Sequence, residues 1–236
     1  MRVKDRSGLT RRFEVCYCPN QVKHGGCRAG AGRKPATWRV DVAHRERPAL
    51  DPAHPVHVVM RLGKRIGLRR QKFFHAVRRA MAPLLERRDF RIVHISIQQT
   101  HLHLLVEADH RDALTLGMQA FAIRSAREIN AVAKSRGKVW AHRYHAKPIR
   151  TPSYARHALA YVLNNWRHHQ QASHSRHALD LYASGPAFTG WRGRVEPPAS
   201  WVLPLPVSPP QTSLLRLGWL WLGRIDPFEV PAALSP

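Results

Sequence analysis

RIVHISIQQTHLHLLVEA, residues 91–108, reads as two short strands joined by the tight connection Gln99-Thr100, and a hairpin here decides what the flanking segments can be. In the first strand Ile92, His94, Ser96 and Gln98 alternate with Val93, Ile95 and Ile97. In the second, His101, His103, Leu105 and Glu107 share one face, with Leu102, Leu104 and Val106 on the other, because successive strand side chains point to opposite sides. The apolar trio is expected to face a helical layer. Two imidazoles on one face of an otherwise apolar strand need polar partners once buried. Their spacing is that of half a metal site or of a hydrogen-bonded core pair.

Outward from the hairpin the pattern alternates between strand and helix. VHVVMRL (56–62) is a β-rich run, and residues 69–88 repeat apolar positions at Phe73, Phe74, Val77, Met81 and Leu84, which predicts a helix that Pro83 kinks or ends early. The other side of that helix is strongly basic. After the hairpin, Asp109 is the expected cap of a long helix, with Asp112 three residues on. Its apolar positions are Leu114, Met118, Phe121, Ile129 and Val132, and Gly137 ends it. KVWAHRYHAKPI (138–149) is a further extended segment, and Thr151-Pro152 starts a helix that runs to about His169. The resulting fold class is α+β, a ferredoxin-like β-α-β-β-α-β core with one added C-terminal helix.

The 236 residues divide into a basic arm (1–53), a domain of regular structure (54–170) and an extension rich in Pro and Trp (171–236). Cys16, Cys18 and Cys27 all lie in the arm. Their spacing, even with His24, matches no common zinc finger, and their odd number fits free thiols in a reducing cytoplasm better than a disulfide framework. Lys and Arg number 39 against 15 Asp and Glu, for a formal net charge of +24. So basic a chain calls for an acidic partner, nucleic acid or an anionic membrane surface. The longest apolar stretch, SLLRLGWLWLG, is far shorter than a membrane span and carries Arg216, and no apolar segment follows the charged N-terminus as in a secretory signal. The expected location is therefore cytoplasmic, at the nucleoid, with no membrane partner.

On the last predicted helix, Tyr161 and Asn165 lie four apart and hence on one face. Asn165 offers a carboxamide oxygen to a hard cation, and with two histidines it makes a half-filled octahedral set suited to Mn²⁺ and tolerant of Mg²⁺. Read by itself, Tyr161 is a buried core aromatic. Tyr154, two turns earlier, is a rival phenol without an Asn four residues on.

HLHLLVEA, a long helix, GKVWAHRYHAKPIRTP and then ALAYVLNNWRHH together resemble the single-tyrosine HUH transposases, in particular the bacterial REP-associated tyrosine transposases. The resemblance covers about residues 40–195 and makes His101-Leu102-His103 the HUH motif, Tyr161 the nucleophile and Asn165 the third ligand of a Mg²⁺ or Mn²⁺ ion with His101 and His103. Thr100 and Trp166 depart from the Asn before the first histidine and the Asn-Pro after the tyrosine that the family often carries. What it implies is cleavage of single-stranded hairpin DNA through a 5′-phosphotyrosine and rejoining of strands, by a monomer or a homodimer. The expected DNA contacts are Arg69, Arg70, Lys72, Arg78 and Arg79 on the basic helix and Arg143, Lys147 and Arg150 before the tyrosine helix. Two alternatives are a catalytically silent nucleic-acid-binding protein of the same fold, and a metal-dependent hydrolase with Glu107 as its base.

Overall fold

The protein is described from a computed structural model, which covers residues 48–169, 177–196 and 203–232. The cysteine cluster and nearly all of the basic arm fall outside these residues. Four strands form one sheet: β1 (Val56–Arg61), β2 (Phe90–Ile97), β3 (His101–Ala108) and β4 (His145–Pro148). Their order is β2-β3-β1-β4 and every neighbouring pair is antiparallel. α1 (Gln71–Met81) links β1 to β2, α2 (Arg111–Val132) links β3 to β4, and α3 (Pro152–His168) follows. This is the ferredoxin-like arrangement with an added helix that the sequence pattern predicts.

Two cores lie on opposite faces of the sheet. Val56, Val58 and Met60 of β1, Leu102, Leu104 and Val106 of β3, and Ile92, Ile95 and Ile97 of β2 pack with Phe73, Val77 and Met81 of α1 and Leu114, Met118 and Phe121 of α2. Gly117 lets α2 approach β2 closely, since a methyl there would overlap the Phe90 ring. On the other face Val93 and Leu105 meet Ala155, Ala158, Leu159 and Val162 of α3. The sheet is thus covered on both sides, and α3 lies on the face that carries His101 and His103.

Several local expectations are corrected. The simple alternation over residues 91–98 fails at a β-bulge: Ile92 pairs with Val106 but His94 with Leu105, which leaves Val93 as the extra residue. Ile92 therefore joins Ile95 and Ile97 under the helices, while Val93 turns to α3. α1 does end early, at Met81, as Pro83 predicts: with no N–H to give, Pro83 sits in a 3₁₀ turn over Ala82–Glu86. The cap of α2 is His110, whose Nδ1 accepts from Ala113 N at 3.1 Å, rather than Asp109, which faces Arg91 at 3.7 Å. α2 stops at Val132, and the left-handed turn after it is taken by Lys134 (φ 50°), ahead of Gly137. Only the last third of the segment 138–149 is a strand; before it, Trp140 makes a single bridge to Leu62. Thr151 caps α3 as expected, accepting from Tyr154 N, with Pro152 at the first position.

The chain beyond α3 wraps the domain. Tyr182 O and Ser184 N bond to Ile97 N and Ile95 O at the free edge of β2, each at 2.8 Å. Ser208 N bonds to Ile92 O, and the buried Glu107 carboxylate accepts from Gln211 N, Thr212 N and Thr212 Oγ1 at 2.8–3.0 Å. A short helix, α4 (Ser213–Arg216), and Trp219 then cover α3. Residues 226–232 run along α3, where Asn164 Nδ2 donates to Asp226 O and Glu229 O, Arg167 Nε to Pro227 O, and the Arg156 guanidinium makes two bonds of 2.9 Å to Glu229. Among the described residues no helix is long and apolar enough to cross a membrane.

Glu107→Ala would leave the Arg91 guanidinium and three donors of the extension without their buried acceptor. A loss of roughly 3–5 kcal/mol in urea unfolding is expected, against about 1 kcal/mol for Thr212→Val. Equal, small losses in both variants would mean that the carboxylate is not the anchor of the extension.

Candidate active site

The pleat of β3 carries His101 and His103 onto the α3 side, and the neighbouring strands add to the same face through their register. Arg61 stands opposite His101, Val59 opposite His103 and His57 opposite Leu105. On β4, His145 stands opposite Val59 and Lys147 opposite His57. α3 lays Tyr161 over this face. Its ring meets His103 edge-on at 5.1 Å and His57 at 6.2 Å, and the His101 and His103 rings stand perpendicular at 4.6 Å. One turn after Tyr161, Asn165 is fully buried.

Hydrogen bonding at the centre is incomplete in a definite way. His103 Nδ1 faces His57 Nε2 at 3.1 Å, and His101 Nδ1 faces Thr100 Oγ1 at 3.1 Å. His103 Nε2 is buried with no partner, and the equally buried Asn165 carboxamide has none in good hydrogen-bond geometry, although it lies close enough to the Tyr161 phenol to act on it. Each such atom costs about 1–3 kcal/mol when water is excluded from it. An unpartnered imidazole nitrogen beside the phenol ring, and a buried carboxamide oxygen one helical turn from that phenol, are donor types that fit Mg²⁺ or Mn²⁺. Among the described residues no three His, Cys, Asp or Glu side chains converge on one point. The carboxamide oxygen of Asn165 is of a donor type that can join two imidazoles in a mixed nitrogen and oxygen set.

Burial dominates the electrostatics. It pushes His57 down to about 4, helped by His145 and Lys147, and His101 down to about 4, helped by His169 and Arg61. His103 is lowered well below its ordinary value, by burial first and then by His57, His101 and His169. All three are neutral near pH 7, the state in which an imidazole nitrogen can bind a cation. Burial raises the Tyr161 phenol above its ordinary value, and the Asn165 carboxamide offsets part of that. The Tyr154 phenol is raised by burial as well, and its hydroxyl is buried without a partner.

The sequence-predicted cations are scattered. Arg69 makes two bonds to the buried Asp180, at 2.8 and 2.9 Å, and lies over the Tyr182 ring, so its guanidinium is committed inside the protein. Arg78 donates to Pro204 O and Arg79 to Glu128. Arg70 and Lys72 are exposed at the start of α1, and Arg143 is exposed before β4. Lys147 and Arg150 line an open groove of about 430 Å³ with Pro148, Thr151 and Tyr154. Lys147 Nζ lies 5.5 Å from the centre of the Tyr154 ring there. Of the eight cations, Lys147 and Arg150 share the groove at the start of the Tyr161 helix, while Arg78 and Arg79 sit on α1, in the layer across the sheet. Glu107, the base required by the hydrolase alternative, is spent on the extension.

Three histidines at this centre escape the sequence reading. His57 is legible in principle: in VHVVMR it alternates with Val56, Val58 and Met60 onto the opposite face, as His101 and His103 do on β3. His168 and His169 end α3, with His168 6.0 Å from the Tyr161 ring and His169 5.7 Å from His101. His168 is seven residues from Tyr161 and His169 four from Asn165, helical spacings that place each near its partner.

Residues 52–165 match the family model for IS200-like transposases. Among solved structures, that of a REP-associated tyrosine transposase bound to a REP hairpin superposes with a TM-score of 0.50 at 16% identity, over 67% of this chain and 96% of that one. At that identity the likeness concerns the fold. No curated protein matches the sequence.

Buried neutral histidines make stability depend on pH. His94, bonded to Ser184 Oγ at 3.1 Å and away from Tyr161, is pushed by burial to about 4. Between its unfolded value of about 6.5 and about 4, the unfolded chain binds the proton and the folded chain does not, so stability falls as pH falls, by up to ~1.4 kcal/mol per pH unit for each such group. His94→Gln should flatten the plot of unfolding free energy against pH by about that slope in this window. Parallel plots for variant and wild type would show that His94 protonates normally in the fold.

Proposed function

Residues 52–165 belong to the IS200-like transposase family, and from that premise we propose that the chain cleaves and rejoins single-stranded hairpin DNA with Tyr161 as nucleophile. The observation that carries this is the meeting of the Tyr161 ring with His103, whose Nε2 is a buried orphan, one turn from the buried carboxamide of Asn165. The solved REP-associated transposase, which shares the fold, is bound to a REP hairpin. In this reading residues 54–170 are the catalytic domain, and the arm of residues 1–53 adds phosphate contacts.

Tyr161 Oη forms a bond to phosphorus as the bond from phosphorus to the 3′-oxygen breaks, which leaves a 5′-phosphotyrosine and a free 3′-hydroxyl. The phenolic proton is lost and the departing oxygen gains one. A later attack by a 3′-hydroxyl reverses the exchange and reseals the strand, so the phosphodiester's energy is conserved without a nucleotide cofactor. His101, His103 and Asn165 would hold a Mg²⁺ or Mn²⁺ ion, which when bound draws charge off a non-bridging phosphate oxygen. The packing of α3 on the sheet orients the phenol over His103. Lys147 and Arg150 would take the backbone phosphates upstream of Tyr161 along α3, and the Tyr154 ring gives a base a face to stack on.

On a hairpin with a single-stranded flank and Mg²⁺ or Mn²⁺, the wild type is expected to form a covalent protein–DNA adduct visible on a denaturing gel. Tyr161→Phe should form none and Tyr154→Phe should still form it; an adduct with Tyr161→Phe would overturn the assignment. In the uncleaved complex, replacing both Lys147 and Arg150 by Ala should reduce the slope of log K against log salt by roughly 0.7 for each phosphate that is no longer neutralised. An unchanged slope would remove these two residues from the DNA path.

A further inference from the structure

His103 and His57 are packed as a pair. Both are buried, their rings are nearly parallel (13° between planes, 5.3 Å between centroids), and His103 Nδ1 lies 3.1 Å from His57 Nε2. The other nitrogen of His103, Nε2, has no partner. A neutral imidazole carries one proton, so two arrangements of this bond exist. If His103 donates from Nδ1 to His57 Nε2, then His103 Nε2 presents a lone pair. If His57 donates from Nε2, the His103 proton sits on Nε2 and no lone pair faces Tyr161 and Asn165. The nitrogen that binds a cation is thus set by the bond the other nitrogen makes.

We propose that His57 is a positioning residue: it accepts the Nδ1 proton of His103, and so fixes the tautomer and ring plane in which His103 Nε2 takes a divalent cation. This rests on the assignment of His103 as a ligand in the proposed function. The placement follows from the sheet. β1 lies beside β3, and its register sets His57 opposite Leu105, two pairs along from the Val59–His103 pair and on the same face, where the two ring edges meet. The ring planes are only 13° apart and the two nitrogens 3.1 Å, so the rings meet edge to edge and His57 Nε2 lies near the plane of the His103 ring, as an Nδ1–H bond requires. His57 touches no reacting atom and is not itself offered as a ligand.

Two variants test this. His57→Leu removes the acceptor, and His57→Gln keeps a carbonyl oxygen within reach of His103 Nδ1. In the DNA-free protein, titrated with Mn²⁺ and followed by electron paramagnetic resonance, His57→Leu is expected to weaken binding about 10–100-fold. His57→Gln is expected to recover most of that affinity, which a general packing defect would not allow. Long-range ¹H–¹⁵N spectra of the metal-free wild type and of His57→Gln should show His103 protonated on Nδ1, and His57→Leu should lose that preference. Wild-type Mn²⁺ affinity in His57→Leu, or equal weakening in both variants, would overturn the role. Should His57→Leu not fold, the wild-type spectrum still decides, since a proton on His103 Nε2 contradicts the proposal. A wild type that forms the DNA adduct while His57→Leu binds Mn²⁺ normally refutes the positioning role alone, whereas a wild type with no adduct refutes the parent assignment.

Discussion

Leu104 and Leu105 are neighbours in the chain, both are fully buried, and they belong to different cores. A strand can do this only when it is central and covered on both faces, and its period of two then leaves each residue no choice of side. Leu102, Leu104 and Val106 hold β3 against α1 and α2, so His101 and His103 must face α3. The position of Tyr161 over His103 is a consequence of that pleat together with the packing of Ala155, Ala158, Leu159 and Val162 on Leu105 and Val93. The bulge at Val93 belongs to the same constraint. By inserting one residue it gives α3 a second apolar contact beside Leu105 while keeping Ile92 under the helices.

A polar centre between two apolar layers is expensive. His103 Nε2 is buried unpaired and the Asn165 carboxamide is buried without a well-formed hydrogen bond, at about 1–3 kcal/mol for each unpaired atom. Such a deficit persists only where the surroundings over-determine it, and here they do. Trp219, Leu215 and Ile225 close over the far side of α3, and the extension ties its backbone carbonyls to Asn164, Arg167 and His168. The helix that carries the phenol is held from the sheet and from the outside, independently of the polar groups beneath it.

Most of the framework is legible in the sequence because it rests on repeating patterns. The order of elements along the chain, the limits of β3, the Thr151-Pro152 helix start and the pairing of Tyr161 with Asn165 on one helical face all follow from periods of 2 and 3.6 and from capping chemistry. The features that stay hidden depend on single, specific partners. No pattern distinguishes the bulge at Val93 from plain alternation, since both neighbours of the slip are apolar or half-polar. His110 outcompetes Asp109 as a cap because Arg91 draws the carboxylate away. Arg69 reads as a cation on a basic face, and only the fold brings Asp180, 111 residues later, into a two-bond pairing with it. His57 gives no signal by itself because a single histidine in a strand is usually structural, and its meaning comes from the strand beside it.

The same long-range pairings sharpen the charge. The chain has only 15 acidic residues, and the described structure uses several of them internally: Glu107 on the extension and Arg91, Asp180 on Arg69, Glu229 on Arg156. Acids engaged in this way anchor residues beyond α3 to the domain, and they add little negative potential to the surface. Lys147 and Arg150, by contrast, line an open groove at the start of the tyrosine helix. Spending the few carboxylates on the fold leaves the positive charge of that groove with little acid to offset it, which strengthens its attraction for an anion.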